Sequence, residues 1–503
     1  MLQAIEQAVK LHDKYQIEIK LDYELLDGKK TCYQVSTFIF IPQNLGINPY
    51  TYTKSDFYRD IQSYIRLKTP TLILRDFTEH SASPLTVIQK IVSIEDWTNT
   101  PEHQEQLINN FKLLSAMLKS AIRDHFNLIQ KRINEAAPGS KIHRLIQNLV
   151  EEFLSESRKI TDSYRALYAS FNLPNVDEPI FTAYKLADES ISLLIEEHAV
   201  EMFQIVETHL KNGHKADFKR RLSERVQAET KYRKSQGYRS ILTPGHDNEE
   251  YTFRASVLKK HASSILYLST AIHREGSELE QFLFALAAGI SMIFATVVAF
   301  YFQQRYGNFT FSFFIALVLG YMFKDRIKEL GRSLSAKYLQ NFLYDRRIII
   351  RTQDGKHKLG VLREKMLFVT EKDTPDAVIK ARNRDLITEL DNDGYGEHII
   401  CYTKEIVLFT EAFRIFASRP EITGINDITR YDIRTHLRKM DEPVEDRNYV
   451  VDEQLSRIRC HKVYHLNFIT RYKSVLPHQE EIYKRMRLIL NQEGIKRIEH
   501  VAV

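Results

Sequence analysis

From Phe282 to Phe302 the chain reads FLFALAAGISMIFATVVAFYF, apolar on every side and without charge. A second apolar run, FTFSFFIALVLGYMF, extends from Phe309 to Phe323, and only QQRYGN lies between the two. Core helices of soluble proteins carry one apolar stripe, whereas a helix apolar all round sits deep in a protein or in lipid. At 1.5 Å per residue the first run spans about 31 Å, one hydrocarbon core. The second spans about 22 Å and reaches membrane length when Arg305–Asn308 join it or the bilayer thins. The pattern predicts a transmembrane hairpin over 282–323, with spans at 282–302 and 306–323. Tyr301, Tyr306 and Tyr321 fall near the ends, where interfacial aromatics collect. Ala285 and Gly289, Ala295 and Ala299, and Ala316 and Gly320 are small residues four apart, a spacing that lets two membrane helices approach closely.

Outside the hairpin the periodicity changes several times. YQIEIKLDYEL places Tyr15, Ile17, Ile19, Leu21 and Tyr23 on one strand face, and KTCYQVSTFIFIP reads as a second strand after the Asp27-Gly28 turn. Thr53 is a candidate cap for a helix KSDFYRDIQSYIRL, and TLILRDF reads as a third strand. Helical stripes follow from Leu107 to Ile133, Ile142 to Phe171 and Ala187 to Leu210, broken at APGS 137–140 and at Pro174. Three long amphipathic helices with short breaks predict an antiparallel bundle. A helix from about Phe253 to Gln281 is expected to run into the first span, and Ile327–Tyr344 to continue out of the second. Beyond it RRIIIRT, HKLGVLR, MLFVT, ITRYDIRTHLRKM and HKVYHLNFITRY read as strands, with helices at TPDAVIKARNRDLITEL and HQEEIYKRMRLILNQEGI.

The expected class is therefore an α+β integral membrane protein. Its parts are an N-terminal α+β domain (1–100), a helical bundle (101–235), a linker and helix leading into the membrane (236–281), the hairpin (282–323), a membrane-exit helix (324–344) and a C-terminal α+β domain (345–503). Charged residues make up 27% and the mean hydropathy is −0.34, so the membrane part is a small insert in a mostly aqueous chain of 503 residues. Three widely spaced cysteines, Cys32, Cys401 and Cys460, fit a reducing compartment. Lys324, Arg326, Lys328 and Arg332 follow the second run, and Arg254, Lys259, Lys260 and Arg274 precede the first, against Arg305 alone in the turn. The positive-inside rule then puts both polar parts and both termini in the cytoplasm, beneath a bacterial inner or other plasma membrane. The runs hold no Asp, Glu, Lys, Arg or His, which favours an anchor over a transporter.

The net charge of +6 is concentrated in residues 211–239. Lys219, Arg220, Arg221, Arg225, Lys231, Arg233 and Lys234 are candidates for contact with anionic lipid headgroups, each worth about 1 kcal/mol near such a surface; the ordinary alternative is a solvated helix face. Nucleic acid is not an expected partner. Arg430, Arg434 and Arg438 share one face of the expected strand with His436 and could meet a phosphate-bearing ligand, since arginine forks match phosphate oxygens. Lys54, Arg59, Arg66 and Lys68, set among tyrosines, invite the same thought.

Other chemistry is thin. Glu389, Asp391, Asp393 and Gly394 imitate the start of a calcium loop, but Ile400 stands where the bidentate glutamate belongs. Cys460, His461 and His465 lack a fourth zinc ligand. Phosphate-loop, dinucleotide, nucleophile-elbow and zinc-protease motifs do not occur. No cofactor or metal is expected. The reading is a membrane-anchored scaffold or signalling protein with protein partners or a homo-oligomeric state. A membrane-bound enzyme acting on a lipid or phosphate-bearing substrate is the first alternative, and an oligomeric channel the second.

Overall fold

The computed structural model describes residues 5–502 apart from 27, 29, 96, 136–141, 211, 308–309, 383–395, 417–421 and 475–480. The fold is mixed α+β and forms two compact units, one from residues 1–65, 269–412 and 426–503, the other from 66–268 and 413–425.

Two sheets build the first unit. The smaller has the order β1-β2-β9-β4, with β1 Ile5–Leu11, β2 Gln16–Glu24, β9 Gly424–Asp432 and β4 Ile61–Leu67. The larger runs β14-β13-β12-β3-β8-β7-β6-β5. Its strands are β3 Thr31–Pro42, β5 Ser269–Arg274, β6 Arg346–Arg351, β7 Lys358–Val369, β8 Glu397–Leu408, β12 Tyr464–Ser474, β13 Ile482–Asn491 and β14 Gly494–Val501. A separate ribbon pairs β10 Val444–Val451 with β11 Gln454–His461.

The N-terminal strand β3 lies between β8 and β12, so Phe468, Ile39, Ile400 and Phe368 line up across four neighbouring strands. Residues expected in two separate α+β domains thus share one sheet. Between the sheets, Ile17 and Tyr431 from the smaller pack with Ile39, Ile400, Phe468 and Leu488 from the larger. Lys404 interrupts this apolar face, and its buried ammonium meets Asp427 Oδ2 at 2.6 Å and Thr429 Oγ1 at 2.7 Å, a pairing a buried charge requires.

The second unit is helical: α2 Asp76–Glu79, α3 Pro84–Val92, α4 Pro101–Glu135, α5 Ile142–Arg165, α6 Tyr168–Phe171, α7 Glu178–His209, α8 Asn212–Ser235 and α9 Glu249–Ser263. Helix α7 packs against α4, α5, α8 and α9. Phe111, Tyr164, Phe171 and Tyr184 form its aromatic centre, with the Tyr164 and Tyr184 rings stacked 4.9 Å apart.

Several local expectations are corrected. The helix capped by Thr53, α1 Lys54–Asp60, has the expected cap, a reciprocal Thr53–Asp56 capping box, but stops at Asp60. The rest of that segment is β4, where Ile61, Ile65 and Leu67 alternate inward. TLILRDF forms no strand; α2 begins at Asp76. The helix expected to enter the membrane from Phe253 ends at Ser263, and β5 intervenes before Gly276, whose φ of 77° starts a new helix. HKLGVLR and MLFVT are one strand, β7. Most of ITRYDIRTHLRKM is not a strand: β9 ends at Asp432 and Arg434–Leu437 makes a helical turn. The C-terminal helix is instead the hairpin β13–β14, because Met486, Leu488 and Leu490 repeat every second residue and are buried, with β12 and β14 flanking them. The calcium-like residues Glu389, Asp391, Asp393 and Gly394 lie outside the described residues, as does the break at 137–140.

Candidate functional site

Helices α10 Ser277–Tyr306 and α11 Phe311–Phe342 are inserted between β5 and β6, which are antiparallel neighbours with Arg274 opposite Arg346. Among the described residues α10 is the one helix long and apolar enough to cross a membrane. Its large side chains face outward: Phe282 is 63% exposed, Ile293 65% and Phe300 67%. That is opposite to a soluble core helix. On α11, Phe311, Phe314 and Met322 are equally exposed, but charges begin at Lys324, so its apolar part is short.

The two helices pack antiparallel. Gly320 abuts Val298, and a Cβ on Gly331 would come within 2.8 Å of Ala287 Cβ, so glycine permits the approach. At the base Leu343 closes on Gly276. Partner numbers add to 618 in both mid-helix contacts, which puts Lys324 and Arg332 level with residues 294 and 286 of α10. The Arg332 guanidinium accordingly lies 5.4 Å from the Phe284 ring. The level at which both helices are apolar, 295–302 against 316–323, is thus about 12 Å deep at 1.5 Å per residue, against about 30 Å of hydrocarbon. The Lys324 ammonium folds over the Tyr321 ring at 3.8 Å.

The basic segment is helix α8, and much of its charge is consumed inside the helical unit. Lys219 bonds Glu207 at 2.7 Å, Arg220 bridges Asp217 and Glu224, and Arg221 grips both oxygens of Glu151 at 2.7 Å. Arg225 and Arg233 are buried. Arg225 reaches the Ser157 carbonyl and Glu229; Arg233 reaches Glu196, Ser192 Oγ and the Ser240 carbonyl. Glu229, fully buried, also accepts from Arg165 at 2.6 Å and from Ser192 at 2.6 Å. Burial pushes the Asp188 carboxyl up, against the pull of Arg165 and the hydroxyls of Tyr232 and Tyr238. Of the seven residues singled out for lipid contact, Lys231 and Lys234 are exposed and make no ion pair among the described residues.

Arg430, Arg434 and Arg438, by contrast, do come together. They line a cleft of about 550 Å³ in the first unit, with Arg59 from α1 as a fourth arginine. Three carboxylates share it: Asp56, Asp60 and Asp432. Arg434 is locked by Asp432, which also accepts from Gln16 at 3.2 Å. Burial raises the Asp432 carboxyl, but the Arg434 side chain and backbone bonds outweigh it and hold the group below its usual range. Arg59 bonds Asp56 at 3.0 Å, and Asp60 accepts from the buried Tyr52 hydroxyl at 2.8 Å. Arg430 lies 3.4 Å from Glu18 and over the Tyr64 ring at 5.7 Å. Arg438 is exposed and makes no ion pair among the described residues. His436, expected on the same face, is buried beneath the cleft against Tyr431, and burial pushes its pKa down to about 4.

Sequence reasoning missed Gln16, Asp56, Asp60, Gln62, Asp432 and Thr435. Arg59 alone was signalled, by the basic residues around the early tyrosines. Cys460 and His461 lie on β11 and His465 on β12; among the described residues no group of three or more His, Cys, Asp and Glu is placed to hold a metal ion. Comparison with models of known families, with curated proteins and with solved structures found no match.

Proposed function

We propose that this protein is a membrane-anchored scaffold or signalling platform, held by the α10–α11 hairpin, with its α+β and helical units at the cytoplasmic face. The observation that carries the reading is the pairing of β5 with β6. Both feet of the hairpin start from one sheet, so a chain that crosses the bilayer in α10 must return in α11. The short apolar part of α11 then asks for local thinning and for Lys324 to snorkel to the headgroups, each a modest cost. Stopping at mid-depth would leave Gln303, Gln304 and Arg305 in hydrocarbon, where an arginine costs about 2.5–3.5 kcal/mol. Of the seven residues singled out, Lys231 and Lys234 are the ones left to meet anionic headgroups.

Native mass spectrometry of the protein extracted in its own lipids tests the platform. A defined oligomer, or a complex with a second protein, is the expected result; a bare monomer at every detergent condition would contradict it. The arginine-lined cleft favours a second reading, a membrane-bound enzyme acting on a phosphate-bearing substrate. A co-purifying small molecule in the same spectrum would move the weight there.

A further inference from the structure

The cleft of Arg59, Arg430, Arg434 and Arg438 specifies a ligand more closely than its positive charge does. Its volume, about 550 Å³, is that of a small-molecule site rather than of a lone ion. Four arginines face three aspartates on the wall, and Glu18 stands against Arg430 as well, so the small positive excess suits a single phosphate held by forks rather than a chain of phosphates. Among the described residues every side chain on the wall is polar or charged. A nucleotide base stacks best on an aromatic ring, and among the described residues none lines this wall. What the wall does offer is hydroxyl recognition. Asp56, Asp60, Gln62 and Thr435 can accept or donate to alcohols, and Asp60 is already oriented by Tyr52.

The arginines divide the labour. Arg434 and Arg59 are tied to carboxylates and shape the wall, whereas Arg438 has no ion pair among the described residues and keeps its fork for a ligand. Among the described residues Arg430 has a 3.4 Å contact to Glu18 and lies over the Tyr64 ring, a hold loose enough for it to turn towards the same phosphate.

We propose that this cleft binds a small polyol carrying a single phosphate, with the phosphate on Arg438 and Arg430 and the hydroxyls on the carboxylate and amide wall. Such a group exists as a soluble sugar or inositol monophosphate and as the headgroup of an inositol phospholipid. The proposal does not depend on the anchoring role, because the cleft lies wholly within the α+β unit.

Isothermal titration of the detergent-solubilised full chain with inositol 1-phosphate, glucose 6-phosphate, inositol, inorganic phosphate and adenosine monophosphate tests it. A phosphorylated polyol should bind at least about tenfold tighter than inositol, phosphate or the nucleotide, the range of one charge-assisted contact. Arg438→Ala should lose about tenfold or more of that affinity, and Arg438→Lys should recover part of it, because a point charge replaces a fork. Arg438 is exposed, so both variants are expected to fold, and unchanged far-ultraviolet circular dichroism checks that. Reconstituted protein offered phosphatidylinositol or phosphatidylcholine vesicles separates the sources. Competition by the former against inositol 1-phosphate assigns a lipid headgroup, and its failure to compete assigns a soluble ligand. Equal affinity for the nucleotide, no binding of any phosphorylated polyol, or binding untouched by Arg438→Ala would overturn the proposal.

Discussion

Helices α8 and α10 are the two segments whose composition points to a membrane, one by charge and one by its lack, and the structure turns them in opposite directions. Arg225 and Arg233 of α8 face inward, where Glu229, Glu196 and Ser192 receive them. Phe282, Ile290, Ile293 and Phe300 of α10 face outward and are more than half exposed. A charge run can be solved inside a protein if enough carboxylates converge on it. An exposed apolar run about 31 Å long has no such internal solution, and in the proposed anchoring role lipid covers it. The difference teaches that partners within the fold, rather than composition, decide which unusual segment is left exposed.

The largest effect should come from removing α10 and α11. Because Arg274 pairs directly with Arg346, a short glycine-containing turn can replace residues 277–342 and rejoin β5 to β6. The resulting protein should move wholly from the membrane fraction to the soluble fraction on ultracentrifugation. Retention in the membrane would mean that another surface, α8 included, carries the attachment.

Next in size is Glu229→Ala. It leaves the buried Arg225 without a carboxylate and Arg165 with Asp188 alone, and breaking such a buried pair costs about 3–5 kcal/mol. Trp97, the sole tryptophan, lies buried against Phe171 in that unit, so its fluorescence follows urea unfolding there. A midpoint unchanged by the substitution would show that the network is not a structural core.

Acid should act on the same unit. Burial, and then the neighbouring His198 ring 3.2 Å away, push the His125 pKa down to about 4. The unfolded chain therefore takes up a proton near pH 6.5 that the folded chain refuses, and stability falls as pH drops from 6.5 towards 4. The loss is on the order of 1–3 kcal/mol, seen as a lower urea midpoint at pH 5 than at pH 7. A midpoint that rises over that interval would reverse the assignment.

The smallest effect is expected at Lys231→Ala and Lys234→Ala, less than about 0.5 kcal/mol in stability. Here binding is the sharper readout: with anionic vesicles, each substitution should weaken association of the hairpin-deleted protein by about 1 kcal/mol if these lysines touch headgroups. No change would leave α8 a structural helix alone.

The legible parts of the fold were those whose pattern was long and internally consistent. The stripes of α4 and α7 and the alternation of β2 and β3 needed no distant partner to be seen. The segment 478–495 reads as a helix because Lys484, Arg485, Arg487 and Gln492 are good helix formers. Only the neighbours β12 and β3 make its alternate Met486, Leu488 and Leu490 decisive. Strand β5 was hidden for a related reason, since its exposed side chains are pinned by pairing to β6, which lies beyond the whole hairpin in sequence. Of the cleft, three arginines were legible because they cluster within nine positions. Gln16 and Asp56 were not, because only the pairing of β2 with β9 and the capped helix α1 bring residues so far apart in sequence to one wall.

The most direct test of the anchored hairpin is the accessibility of its tip. In a background with Cys32, Cys401 and Cys460 replaced by serine, Gln304→Cys and Lys234→Cys are each exposed to a membrane-impermeant thiol reagent in intact cells. The account predicts that Gln304→Cys reacts at once and that Lys234→Cys reacts only after permeabilisation. Protection of Gln304→Cys in intact cells, or reaction of Lys234→Cys without permeabilisation, would contradict a hairpin that crosses the bilayer and returns to the cytoplasmic face.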